Sequence, residues 1–96
     1  MNEEKIIKKL EIVISGRVQG VGFRYFTLQK AIALNIKGYV RNTYEGKVEV
    51  VAIAEKTAIN NFVMELHKGP RMSVVENIEI VELTTVGNYK NFRIEH

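Results

Sequence analysis

Ninety-six residues, 46% hydrophobic and 26% charged with a single proline, make one domain over 1–96 with room for a single core, and exclude a disordered, collagen-like or coiled-coil chain. A formal net charge of +3 is too slight for a dedicated nucleic-acid binder, although Arg17, Arg24 and Arg41 make the charge local. The lack of cysteine excludes disulfides, zinc–thiolate sites and a thiol nucleophile, and fits a cytoplasmic enzyme.

The stretch Met1 to Lys9 is charged and holds no apolar segment with a cleavage site, so it is not read as a signal peptide. No apolar run approaches the ~18 residues that a membrane-spanning helix needs. Leu10, Ile12 and Ile14 alternate with Glu11, Val13 and Ser15, a period of two that predicts a strand. A glycine-rich turn, Gly16 to Gly22, follows. Phe23, Thr27, Ala31 and Leu34 then fall on one helical face. Lys30 lies inside that stripe, with its stem on the core and its ammonium reaching water. Asn35 stops the helix and Gly38 reopens the chain for a second strand, Tyr39 to Thr43. Tyr44-Glu45-Gly46 predicts a hairpin turn into a third strand, Lys47 to Ala54. Thr57 is the expected N-cap of a second helix that carries Ile59, Phe62, Val63 and Leu66 on one face. Gly69-Pro70 ends it. Val74 to Leu83 predicts a strand with a bulge near Asn77, and Phe92 and Ile94 mark a short terminal strand. The order β-α-β-β-α-β plus one strand is α+β in class. It predicts a ferredoxin-like α/β sandwich, an antiparallel sheet with two helices on one face.

The chemistry concentrates in Gly16-Arg17-Val18-Gln19-Gly20-Val21-Gly22-Phe23-Arg24. Three glycines between a strand and a helix let the backbone turn sharply with several N–H groups pointing inward. Such a nest at the positive end of a helix is an anion site, and Arg24 in the first helical turn adds a planar fork for phosphate oxygens. Neither the Rossmann nor the Walker spacing is present. A bare glycine-rich turn is the plainer reading, and the arginine weighs against it.

The run GRVQGVGFR closely resembles the signature loop of the acylphosphatase family, and Gly38-Tyr39-Val40-Arg41-Asn42 resembles that family's second motif. The likeness continues through Val48-Glu49-Val50, Gly69-Pro70 and Phe92-Arg93-Ile94, nearly the whole chain. It implies hydrolysis of the carboxyl–phosphate anhydride of a small acyl phosphate, releasing a carboxylate and inorganic phosphate, with no metal or organic cofactor. It implies that Arg24 binds phosphate, that Asn42 orients the attacking water, and that backbone amides from Gly16 to Phe23 (Gly16, Arg17, Val18, Gln19, Gly20, Val21, Gly22, Phe23) hold the phosphoryl group. An amide is no general base at neutral pH, so the likeness assigns that part to the substrate's own phosphate oxygen. Tyr44-Glu45-Gly46 and Arg71-Met72-Ser73 depart from the common pattern and leave the acyl group open.

The remaining candidates have plainer readings. His67 suits the C-terminal carbonyls of the second helix, and His96, the last residue, sits where chains fray. So distant a pair makes no metal site. Arg17 is open between phosphate affinity and a structural pairing. Arg41 is expected on the opposite face of its strand from Asn42. The tyrosines are amphipathic cover. The rival function is a non-catalytic nucleic-acid module on the same sandwich. Lys37-Gly38-Tyr39 begins the RNA-binding strand motif, and Val40-Arg41-Asn42 abandons it. A chain that stops at His96 is expected to lack the larger carbamoyl-transfer neighbours to which such domains are fused. No partner subunit and no membrane are expected, and a monomer is the default.

Overall fold

Period-two alternation sets the faces of the sheet. In the computed structural model, which describes residues 6–85 and 87–96, Leu10, Ile12 and Ile14 of strand β1 (Ile7–Arg17) are buried while Glu11, Val13 and Ser15 turn to the other face. Helix α1 (Phe23–Ala33) buries Phe23, Thr27 and Ala31, the predicted stripe. The Lys30 ammonium lies 3.4 Å from Glu65 and over the Phe26 ring, so its stem spans the interhelical seam. Asn35 takes the left-handed φ of 59° that ends the helix. Strands β2 (Lys37–Asn42) and β3 (Val48–Glu55) form the predicted hairpin, in which the Thr43 N–H donates to the Lys47 carbonyl at 2.9 Å. Helix α2 (Lys56–Lys68) buries Ile59, Phe62 and Leu66, and strands β4 (Val74–Glu82) and β5 (Phe92–Glu95) complete the chain.

The five strands lie in the order β4-β1-β3-β2-β5. β1 pairs antiparallel with β3 and β4, and β3 antiparallel with β2. α1 therefore bridges β1 to β2 across β3, and α2 bridges β3 to β4 across β1, the interleaving that defines the ferredoxin-like sandwich. β5 adds to the edge of β2 in parallel, making the sheet mixed, a direction that four residues of alternation do not encode. Both helices cover one face: Ile12, Ile14, Val40, Val48 and Val50 share a core with Phe23, Phe62 and Leu66.

Two details refine the predicted boundaries. Thr57 is not the N-cap of α2. The chain passes from β3 straight into the helix through Glu55, with no side-chain cap. The Lys56 N–H donates to the Ile6 carbonyl at 2.8 Å, so the start of the sheet satisfies the first of the helix's free N–H groups. The bulge is where it was predicted: Ser15 opposes Asn77 but Gly16 opposes Val75, leaving Glu76 as the extra residue. It sits where β1 gives way to the glycine-rich loop.

On the uncovered face, Glu49 accepts from the Tyr39 hydroxyl at 2.9 Å and from Arg41 Nε at 2.6 Å, and the Tyr89 ring lies 6.0 Å from that of Tyr39. Arg41 thus points away from Asn42, as expected. The Arg41 guanidinium holds the Glu49 carboxyl below the usual carboxylate range. Burial, and then the bond to Glu49, pushes the Tyr39 hydroxyl up to about 12. A depressed acid stabilises the fold above its unfolded pKa and loses that contribution as pH falls. A raised phenol stabilises the fold below an unfolded value of about 10, and the contribution goes as pH rises toward its folded value. Thermal melts across pH should therefore show a plateau with an acid limb and an alkaline limb. Glu49→Gln should flatten the acid limb and make the alkaline one shallower, leaving only the part that burial of the phenol contributes.

Candidate active site

The loop is held at its ends and free at its middle. Val18 and Phe23 are buried in the core, while Gly20 and Gly22 are exposed. Gly16, at φ 128°, runs against the β4 backbone, where a Cβ would collide with the Val74 carbonyl. Gly22 occupies the N-cap of α1 at φ 79° and ψ 20°, with no side-chain cap and no acidic residue in the first turn. The leading N–H groups of a helix have no intrahelical partner. Here no side chain caps them, an arrangement with a fixed positive potential.

Asn42 ends β2 two residues after the buried Val40 and so shares its face, the one covered by α1. The loop, the start of α1 and the end of β2 enclose a cavity of about 220 Å³. Gly20, Gly22 and Arg24 line one side, and Asn42, Ile94 and His96 of the sheet end line the other. Arg24 and Asn42 are both half-buried. Among the described residues neither side chain has a hydrogen-bond or ion-pair partner, and no Asp or Glu side chain lines the cavity. A half-buried guanidinium without a counter-charge is a site waiting for an anion.

The structure thus brings together Arg24, Asn42, Val18, Gly20, Gly22 and Phe23. Gly16 and Val21 support the loop from behind. Arg17 is exposed at the end of β1 and is not part of the cavity wall. The Gln19 side chain turns away from the cavity, to the hairpin that follows Asn42. His96, expected to fray, lines the cavity instead, with Ile94 and Tyr25. The signal was present as period two over Phe92, Ile94 and His96. It needed the parallel pairing of β5 with β2, which carries Arg41 opposite Glu95 and so leads Asn42 toward His96. Larger hollows of about 430 and 520 Å³ lie elsewhere, but each has a carboxylate side chain in its wall, Glu55 in one and Glu82 in the other. Among the described residues no group of three or more His, Asp or Glu side chains is placed to hold a metal ion.

The chain is thus an α+β sandwich whose first strand–loop–helix corner faces an asparagine at the end of the next parallel strand. The acylphosphatase family model matches residues 10–94, and the chain belongs to that family. It is 45% identical over 83 residues to an acylphosphatase of Koribacter versatilis, covering 86% of this chain and 76% of that one. The crystal structure of acylphosphatase from Bacillus subtilis superposes with a TM-score of 0.89 at 33% identity, over 95% of this chain and all of the other. A similar unit occurs inside a larger protein: HypF of T. kodakarensis matches at TM-score 0.82 and 31% identity, over 93% of this chain and 12% of that one.

Proposed function

We propose that this domain hydrolyses acyl phosphates to a carboxylate and inorganic phosphate, with the phosphoryl group seated on the loop amides and Arg24 and the attacking water held by Asn42. An acyl phosphate carries its negative charge on the phosphoryl oxygens, and the charge on the transferring group must be stabilised as the bond to the acyl oxygen loosens. The uncapped N–H groups of the α1 start and the guanidinium of Arg24 are already oriented to receive it, so no reorganisation is needed during reaction. Asn42 accepts from a water and places its oxygen in line with phosphorus. The new P–O bond forms as the P–O bond to the acyl carboxylate breaks, and the water's proton passes to a phosphoryl oxygen of the substrate.

The observation that carries this reading is that Arg24 and Asn42 line one cavity and that neither side chain has a partner among the described residues. The rival nucleic-acid reading has less support, since the Tyr39 and Arg41 groups that would meet RNA are engaged by Glu49. The reading extends to a single-domain monomer acting in the cytoplasm on a small molecule. The complete cavity within one chain and the cysteine-free composition support that extension.

Release of phosphate from benzoyl phosphate, in excess chelator, tests the proposal. Full turnover without added metal is the expected result. No turnover, or strict dependence on a divalent ion, would contradict it, and salt-sensitive binding of single-stranded RNA in its place would favour the rival.

A further inference from the structure

Gln19 sits in the middle of the loop, yet its side chain leaves the cavity. Its single amide nitrogen lies 2.9 Å from the Thr43 carbonyl and 2.9 Å from the Lys47 carbonyl. Those two residues close the β2–β3 hairpin: the Thr43 N–H donates to the Lys47 carbonyl at 2.9 Å, and the Lys47 N–H donates to the Thr43 hydroxyl at 3.1 Å. Thr43 directly follows Asn42. A carbonyl oxygen has two acceptor sites and a primary amide two donor hydrogens, so one side chain can bind both oxygens without displacing the hairpin's own bond.

We propose that Gln19 is a positioning residue, tying the phosphate-binding loop to the hairpin and so setting the distance between the phosphoryl seat and the Asn42 amide. The proposal rests on the roles given above to the loop and Asn42. These groups come from different elements, since the loop joins β1 to α1 and Asn42 ends β2. Val18 and Phe23 fix the loop's ends to the core, but they do not fix its middle relative to the hairpin. Among the described residues, the Gln19 bonds make the side-chain link between them. In-line attack is sensitive to misplacement on the order of 1 Å, which is worth up to about 10²-fold in rate. Phosphate binding, spread over several amides and Arg24, tolerates the same shift.

Gln19→Met keeps the length and approximate volume of the side chain and removes both donors. The expected result is a fall in kcat of about tenfold, with KM and the phosphate-induced rise in melting temperature little changed. Gln19→Glu, which sets a carboxylate against two carbonyl oxygens, should lose at least as much. In an Asn42→Ala background the Gln19→Met change should alter the residual kcat less than twofold, because the group it positions is gone. Equal losses in both backgrounds, loss of the phosphate-induced stabilisation, or failure of both variants to fold would overturn the proposal in favour of a general structural role. If Asn42→Ala keeps wild-type turnover, the underlying reading fails. If Asn42→Ala is inactive and Gln19→Met turns over like wild type, only the positioning role fails.

Discussion

Asn42→Ala should lower kcat by about 10²–10³-fold, the cost of removing one preorganised polar group from a transition state. The amide meets the water and not the resting phosphoryl group, so inorganic phosphate should bind the variant about as well as wild type. Stability should change little, because Asn42 is half-buried and its side chain makes no hydrogen bond among the described residues. The signature is thus a loss in kcat without a matching loss of phosphate affinity. Steady-state kinetics on benzoyl phosphate and a phosphate titration of the same preparation read both quantities. A variant retaining more than a tenth of wild-type turnover would remove Asn42 from the mechanism.

Much of this arrangement is legible in the sequence. The alternation at Leu10, Ile12 and Ile14, the stripe from Phe23 to Ala31 and the stop at Gly69-Pro70 report local geometry, and local geometry is what hydrophobic period and backbone freedom encode. The bulge was visible because an extra residue breaks the alternation of β4. Arg24 and Asn42 were legible through motif resemblance, while their shared cavity depends on α1 crossing β3 to reach β2, a long-range fact. What was missed is long-range in the same sense. Thr57 is a good cap in isolation, but the Ile6 carbonyl, fifty residues away, satisfies the helix start one residue earlier. The period of two over Phe92, Ile94 and His96 gives His96 a face but not a neighbour. The residue reaches the cavity because the edge of β2 accepts β5 in parallel. The two acceptors of Gln19, Thr43 and Lys47, are separated from it by all of α1 and β2, so its clamp is invisible in the motif that contains it.

The second large effect concerns Arg24. Its guanidinium shares the cavity with the uncapped start of α1 and, among the described residues, no Asp or Glu side chain lines that cavity, so in the free protein it is repelled by its own surroundings. Phosphate relieves that repulsion and binds only the folded chain. At a hundredfold excess over Kd the expected gain is ~2.7 kcal/mol, or roughly 10–20 °C in Tm for a domain of this size. Arg24→Gln keeps the stem and an uncharged donor, removes the charge, and should abolish most of that gain together with catalysis. Free of ligand, the variant should be no less stable than wild type, since the lost cation has no ion-pair partner among the described residues.

The central claim is that the loop and Arg24 form the phosphoryl seat, and paired thermal melts of wild type and Arg24→Gln, with and without phosphate at constant ionic strength, test it most directly. Fixed ionic strength removes general screening from the comparison. A large phosphate-dependent rise in the wild-type Tm, mostly lost in the variant, with equal or higher variant stability in its absence, is the predicted result. An equal rise in both proteins would place the anion elsewhere and contradict the account.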